Sequence, residues 1–182
     1  IHNSSHPVFL TGKAGTGKTT FLKYIRENTS KNTVILAPTG VAAINAGGST
    51  IHSFFQLPFA PFIPGSKQGF AVQPVMDKHN LLAKLKLTSE KKEMMQQLEL
   101  LVIDEISMVR CDVLDAIDCV LRHVRNSHDM PFGGVQVLYI GDMHQLPPVV
   151  KDEEWTLLQS WYPNQYFFSS LVVAEQPPVY IE

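Results

Sequence analysis

Four short apolar runs lie along the chain without the polar alternation of a half-exposed strand. They cover residues 8–10, 34–37, 100–103 and 135–140. Uninterrupted runs of this length are typical of strands buried on both faces of a parallel sheet. Helical patterns lie between them, over residues 18–28, 40–45 and 112–125. This alternation implies right-handed crossovers and predicts an α/β fold with a doubly wound parallel sheet.

The segment 57–75 interrupts the alternation because it contains Pro58, Pro61, Pro64 and Pro74. Proline has no N–H to donate to a ladder, so this segment is excluded from any central strand and is predicted to be a small non-sheet insertion. Residues 81–98 then have the pattern of one or two short amphipathic helices. Their basic face, for which a solvated surface is the alternative interpretation, consists of Lys84, Lys86, Lys91 and Lys92.

Length and composition favour one folded domain. The chain has 182 residues, 45% of them apolar and 18% charged, which excludes a disordered tail and predicts a single domain over residues 1–182. No apolar run reaches the roughly 20 residues that cross a membrane. The net charge of −2 gives no overall basic field, so any contact with nucleic acid must be local.

The two cysteines and the first residues suggest a reducing compartment. Cys111 and Cys119 fall on a predicted helix, about 12 Å apart by helical rise, which is beyond the reach of a disulfide. We therefore expect two reduced core thiols. Residues 1–7 have neither the basic nor the apolar part of a signal peptide, which favours the cytoplasm, or the nucleus or mitochondrion in a eukaryote. The missing initiator methionine suggests a trimmed chain.

A phosphate-binding loop follows the first predicted strand. Residues 12–19 match G-x-x-x-x-G-K-[ST] and open a helix, where backbone N–H groups and the helix dipole favour a phosphate. Lys18 is expected to reach the β and γ phosphates of ATP, and the Thr19 hydroxyl to hold Mg²⁺. A glycine-rich turn that merely starts a helix is the alternative. The candidate nucleotide-binding residues here are Gly12, Lys13, Ala14, Gly15, Thr16, Gly17, Lys18, Thr19 and Thr20.

Two further predicted strands end in polar residues. The run 100–103 ends in Asp104, which suits Mg²⁺, and Glu105, which is placed to polarise the attacking water. The run 135–140 leads to Gln145, whose amide the following Pro147 and Pro148 are expected to hold towards a γ phosphate. The alternatives are an acidic turn and a surface turn. Because the carboxyl ends of parallel strands meet at one rim, these groups are predicted to converge with residues 12–19 and 38–40.

Taken in order, these motifs resemble the Pif/RecD-like branch of superfamily one DNA helicases. The resemblance spans nearly the whole chain and rests on residues 12–20, 37–43, 50–54, 102–108, 131–134 and 141–149. It implies a P-loop NTPase with a RecA-like sheet, the first motor domain of an ATP-dependent 5′ to 3′ DNA helicase. It also implies Lys18, Glu105 and Gln145 as catalytic residues, and roles in DNA repair, recombination and telomere maintenance.

The resemblance further implies contacts with single-stranded DNA and duplex junctions, and no membrane. The implied DNA-contacting residues are Pro38, Thr39, Gly40, Val41 and His52. Core packing is the alternative for His52, and for Phe54 and Phe55 it is the favoured interpretation. Residues 57–98 are expected to form an inserted wedge-like subdomain that meets the duplex junction.

Members of this branch use two RecA-like domains, and no residues after Val149 resemble the second. A second domain is therefore expected in cis beyond Glu182, in a protein that works as a monomer. The segment that recognises adenine is also absent before the first strand. Because an arginine supplied by a second domain contributes about 10³ to 10⁵ in rate, residues 1–182 alone are expected to hydrolyse ATP slowly and not to unwind DNA.

Other classes of protein fit less well. A GTPase needs the guanine motif N-K-x-D, and residues 126–129 lack its lysine. A binding module that uses ATP only as a ligand on DNA stays open, and it differs from a motor in having no DNA-stimulated ATPase. Cys119 and His123 share a helix face, but two ligands do not make a zinc site.

Overall fold

A six-stranded parallel sheet forms the centre of the molecule. The computed structural model describes residues 4–13, 15–65 and 76–182. The strands are β1 (Val8–Thr11), β2 (Thr33–Ala37), β3 (Ser49–Thr50), β6 (Leu100–Ile103), β7 (Gln136–Gly141) and β8 (Val179–Ile181). Their order in the sheet is β3-β2-β6-β7-β1-β8, and every neighbouring pair is parallel. The four predicted strands are confirmed to within one residue at each end.

Eight α-helices connect and cover the strands in the described residues. They are α1 (Lys18–Asn28), α2 (Gly40–Ala46), α3 (Ile51–Phe55), α4 (Lys78–Lys84), α5 (Ser89–Gln97), α6 (Cys111–Val124), α7 (Asp152–Leu158) and α8 (Leu171–Glu175). Short 3-10 turns span Ile106–Met108, Pro131–Gly134 and Phe167–Ser169. In the part of the chain that the structure describes, no helix combines the length and apolarity needed to cross a bilayer.

Apolar layers cover both faces of the sheet, as a doubly wound fold requires. Along β6, Leu101 and Ile103 pack into the larger core cluster together with residues of α6. Leu100 and Val102 pack on the opposite face with Leu22 and Ile25 of α1 and with other residues. All four residues of β6 are buried, and burying each such side chain contributes about 1.5–3 kcal/mol. The central strands are therefore rigid supports for whatever follows their ends.

The predicted insertion lies outside the main sheet, but part of it forms a ladder. Strand β4 (Phe62–Ile63) pairs in parallel with β5 (Met76–Asp77) in a separate two-stranded sheet. The N–H of Phe62 also donates to Asp112 Oδ2 at 3.0 Å. The prolines correctly excluded a central strand, yet Phe62 and Ile63 lie between two of them and pair freely. Residues 66–75 lie outside the described residues.

The stretch predicted to hold one or two amphipathic helices forms two, α4 and α5. Leu81, Met95 and Leu98 pack into the larger core cluster. Lys84, Lys86 and Lys92 are exposed, while Lys91 Nζ donates to the carbonyl oxygen of Ser53 at 2.8 Å. The wedge role of residues 57–98 stays a prediction.

The two cysteines are free and buried, as predicted. Burial raises the pKa of the Cys111 thiol to about 12 and that of Cys119 to about 11. Because the thiolate is the reactive form, both residues are inert parts of the core.

A buried carboxylate fastens the end of the chain to α6. Asp115 is 6% exposed and its two oxygens accept three hydrogen bonds. The donors are Tyr162 Oη at 2.8 Å, the N–H of Leu171 at 3.0 Å and the N–H of Val172 at 2.9 Å. Asp115 thereby binds the first two N–H groups of α8. This helix leads into β8, which pairs with β1.

Replacing Asp115 with alanine is expected to lower the free energy of unfolding by about 3 kcal/mol, because two buried donors and one partly buried donor lose their acceptor. Urea unfolding measures the change. Asp129, which is exposed, provides the matched control, and its change to alanine should stay within about 0.5 kcal/mol. Equal midpoints for Asp115→Ala and Asp129→Ala would refute the fastening role.

Candidate functional site

The ends of four neighbouring strands meet around one cleft of about 320 Å³. The segments after β2, β6 and β7 contribute to it, as does Thr19 in the first turn of α1, which follows β1. Asp104, Glu105 and Gln145 are thus brought together with Thr19 and Thr39, as predicted, whereas Lys18 and the described residues of the loop before it are not part of the lining. Thr19, Asp104, Glu105 and Gln145 from the predicted site all line it. The full lining is Thr19, Thr39, Val41, Ala42, Asn45, Asp104, Glu105, Met108, Gln145 and Leu146.

The loop after β1 has a backbone that glycine favours. Gly15 and Gly17 have φ angles of 82° and 93°, in the left-handed region that costs other residues roughly 1–2 kcal/mol. Gly12 approaches the loop closely, since an added Cβ would lie 2.7 Å from Thr16 Oγ1. Gly17 immediately precedes α1. The glycines therefore serve the shape of the loop, while Ala14 lies outside the described residues.

Lys18 folds its ammonium group over this loop. Its Nζ donates to the carbonyl oxygen of Gly12 and to that of Lys13 at 2.9 Å. Thr19 and Thr20 follow in the first turn of α1 with exposed side chains. A cation, helix N–H groups and hydroxyls thus lie together at the start of α1, next to the cleft that Thr19 lines, a combination that suits phosphate.

Two adjacent carboxyl groups face this cation from the end of β6. Burial raises the pKa of Asp104, against the opposing effect of the Glu105 N–H and Lys18. Burial also raises the pKa of Glu105, and Asp104 adds to the effect. Glu105 adopts a left-handed backbone with φ 53°, and its N–H donates to Asp104 Oδ1 at 3.0 Å. The pair is held close despite its mutual repulsion.

Asp142, which the sequence analysis missed, orients Gln145. This buried carboxylate accepts from the N–H of His144 at 3.0 Å and from Gln145 Nε2 at 3.2 Å. The hydrogen bond from His144 lowers the pKa of Asp142, which keeps it an acceptor. Asp142 is thus the hydrogen-bond partner of the Gln145 amide, and the expectation that Pro147 and Pro148 direct this amide towards a γ phosphate stays a prediction. An Asp at the start of a turn commonly bonds the chain two residues on, and that signal was available.

The donor set of the cleft fits a hard cation that shares its ligands with a phosphate. Among the described residues, no cluster of His, Cys, Asp or Glu could hold a metal by itself. Thr19 and Asp104 instead offer a hydroxyl and a carboxylate at the same cleft. Mg²⁺ usually binds in this way, through one or two protein oxygens, phosphates and water.

A second and largely apolar groove of about 450 Å³ adjoins the cleft. His52 and Phe59 stack on its edge, with ring centroids 4.6 Å apart and planes at 10°. Phe59 is 91% exposed, so the outer face of the stack is open. Burial and then Arg110 lower the pKa of His52, which favours the neutral ring. Such a stack offers a flat surface for another aromatic ring.

The candidate DNA contacts divide between the two cavities. Pro38 and His52 line the groove, Val41 lines the cleft, and Thr39 lines both. Gly40 is exposed at the start of α2. Phe54 and Phe55 are buried, which confirms the core-packing interpretation for both.

An ion-pair network that no motif predicted forms one side of the groove. Arg110 binds Asp112 Oδ2 at 2.7 Å and Glu154 of α7 at 2.7 Å. Asp112 also accepts the N–H of Phe62. The network ties the segment after β6 to α7 and to the insertion, so it supports the groove rather than offering a free cation to a ligand.

Comparison with known proteins identifies the family of this chain. Residues 1–161 match the family model described as PIF1-like helicase. The chain is 37% identical over 161 residues to the ATP-dependent DNA helicase PIF1 of Saccharomyces cerevisiae (strain YJM789), covering 84% of this chain and 16% of that protein.

Two solved structures are similar to this chain over nearly its whole length. Pif1 helicase from Bacteroides in complex with ADP-AlF3 and single-stranded DNA has a TM-score of 0.85 and 46% identity, over 99% of this chain and 38% of that one. A structure of Pif1 helicases at forked duplex DNA has a TM-score of 0.86 and 47% identity, over 99% and 40% of the two chains. The chain thus spans less than half the length of these relatives, and its sheet is that of a RecA-like P-loop fold. It belongs to the PIF1-like helicase family.

Proposed function

We propose that this chain is the nucleotide-binding motor domain of an ATP-dependent DNA helicase, which binds Mg-ATP in the cleft and single-stranded DNA along the groove. One observation carries the proposal: Thr19, the adjacent carboxyl pair and Gln145 line a cleft that shares Thr39 and Met108 with an aromatic groove. Lys18, next to Thr19, acts electrostatically on both carboxyl groups. The name of the yeast relative and the ligands of the Bacteroides complex support both halves of the proposal.

Lys18 supplies the cation for the phosphates. Its Nζ donates to two main-chain carbonyl oxygens of the loop, and phosphate oxygens compete for the same protons as stronger, charged acceptors. Thr19 and Asp104 would hold Mg²⁺, which when bound neutralises charge on the β and γ phosphates.

Glu105 acts as the general base. Burial and Asp104 raise its pKa, so its carboxylate is more basic than that of an exposed glutamate. It accepts a proton from the attacking water while the water oxygen bonds to the γ phosphorus and the bond to the β-phosphate oxygen breaks. Gln145, held by Asp142, is placed to report the γ phosphate to the turn that carries it.

Stacking and polar contacts, rather than a basic field, hold the DNA strand. The net charge is −2, and Arg110 is committed to Asp112 and Glu154. The His52–Phe59 stack accepts a base on its exposed face, and a stacked base contributes about 1–3 kcal/mol. The proposal includes Pro38, Thr39, Gly40 and Val41 as neighbouring contacts.

The remaining parts of the proposal come from the family resemblance and the share of the relatives that the chain spans. They are a 5′ to 3′ direction, action at duplex junctions, a monomeric protein, and a second RecA-like domain in cis that completes the ATP site. Domain closure around ATP then turns nucleotide binding into movement along the strand.

Lys18→Ala is expected to raise the Kd for ATP by roughly 10- to 150-fold, the effect of losing charge-assisted hydrogen bonds. Glu105→Gln is expected to keep ATP affinity and to lower kcat by roughly 10²- to 10⁴-fold, the contribution of a general base. Nucleotide binding and steady-state ATPase, with and without single-stranded DNA, measure the two effects in the full natural protein that carries this chain. Lys23→Ala is the matched control, because Lys23 is an exposed lysine on the same helix, and it should match the wild type.

Normal turnover by Glu105→Gln would refute the base assignment. An ATPase that DNA does not stimulate would indicate a binding module.

Phe59→Ala is expected to raise the Kd for oligothymidylate by roughly 5- to 150-fold, because it removes one stacking surface. Since Phe59 is 91% exposed, its removal should leave unfolding free energy within about 0.5 kcal/mol of the wild type. Fluorescence anisotropy measures the affinity. Tyr24→Ala is the matched control, because Tyr24 is also an exposed aromatic residue but lies on α1. If both variants bind DNA as the wild type does, the stack is no part of the DNA site.

A further inference from the structure

Two residues, Thr39 and Met108, line both the cleft and the groove and so form the wall between them. The Thr39 hydroxyl caps α2 by accepting from the N–H of Ala42 at 3.2 Å, which fixes its position. Met108 is partly exposed, and an unbranched thioether side chain adapts its shape to a neighbour at low cost. Met108 is therefore the part of the wall that can respond to a ligand.

Met108 is joined to the main chain of Glu105. The turn Ile106–Met108 begins at Glu105, and the N–H of Met108 donates to the carbonyl oxygen of Glu105 at 3.0 Å. Glu105 has φ 53° and ψ 44°, a left-handed conformation that is unfavourable for a residue other than glycine. A shift of Met108 therefore acts on a backbone that is already strained at the carboxylate placed to act as base.

The other side of the turn is held by the end of β7. A Cβ added to Gly141 would lie 2.9 Å from Ile106 Cγ2 and 3.1 Å from Ile106 N, so the two segments are in close contact. Ile106 and Ser107 are buried. The turn is thus backed by β7 and faces the groove through Met108.

We infer that Met108 is a positioning residue that couples occupancy of the groove to the placement of the Glu105 carboxylate. A strand in the groove contacts Met108, and the turn transmits the displacement to Glu105. This inference rests on the proposed function, because it takes ATP as the ligand of the cleft and DNA as the ligand of the groove. Its new element is a contact-driven link through one uncharged side chain.

The test measures ATPase in the full natural protein that carries this chain, with and without saturating oligothymidylate. Met108→Ala is expected to lower the DNA-stimulated kcat by roughly 10- to 100-fold, the loss that a misplacement of about 1 Å causes at a reacting centre. The KM for ATP and the oligothymidylate concentration at half-maximal stimulation should change little. Met108→Leu, which keeps the apolar bulk, should restore the stimulation.

Met94→Ala is the matched control, because Met94 is an exposed methionine that lines neither the groove nor the cleft. It should keep the maximal stimulation at saturating DNA. Full stimulation of Met108→Ala contradicts the inference, and so does an equal loss in Met94→Ala or a loss that Met108→Leu does not restore. A wild-type protein whose ATPase is not stimulated by DNA contradicts the proposed function itself, which separates the two failures.

Discussion

Carboxyl groups that are partly buried side by side at one edge of a sheet are the constraint on which the site depends. Parallel strands bring Asp104, Glu105 and Asp142 to the same rim. Burial raises the pKa of Asp104 and Glu105, and at Glu105 the neighbouring Asp104 and Asp142 raise it further. Lys18 is the cation that lowers the pKa of both Asp104 and Glu105. A rim of this kind favours a ligand that brings a cation and phosphates together.

The surrounding structure keeps these groups from moving apart. Strands β6 and β7 are buried throughout, so the residues after them begin from fixed points. Gly141 allows β7 to touch the turn after Glu105, and Asp142 binds both the main chain of His144 and the side chain of Gln145. The strain at Glu105 persists because rigid neighbours determine its backbone on both sides. The buried strands of the sheet therefore hold the residues of the cleft in fixed positions.

Local patterns in the sequence predicted what depends on local physics. Apolar runs predicted the strands, and the glycine motif predicted the bends at Gly15 and Gly17 and the start of α1. Parallel topology predicted that Asp104, Glu105 and Gln145 converge. The Arg110–Glu154 ion pair and the bond from Phe62 to Asp112 join residues about 50 positions apart, and no periodicity encodes such contacts. The His52–Phe59 stack likewise depends on where the chain turns between α3 and β4. The role of Asp142 is a local one that the sequence could have predicted, because an aspartate at the start of a turn commonly bonds the chain two residues on.

A crystal structure with Mg²⁺ and a non-hydrolysable ATP analogue tests the nucleotide site most directly. We expect the triphosphate along residues 12–19, with Lys18 Nζ moved from the carbonyl oxygens of Gly12 and Lys13 to phosphate oxygens and the metal held by Thr19 and Asp104. An analogue bound elsewhere, with Lys18 still on its two carbonyl oxygens, would contradict the assignment of this site.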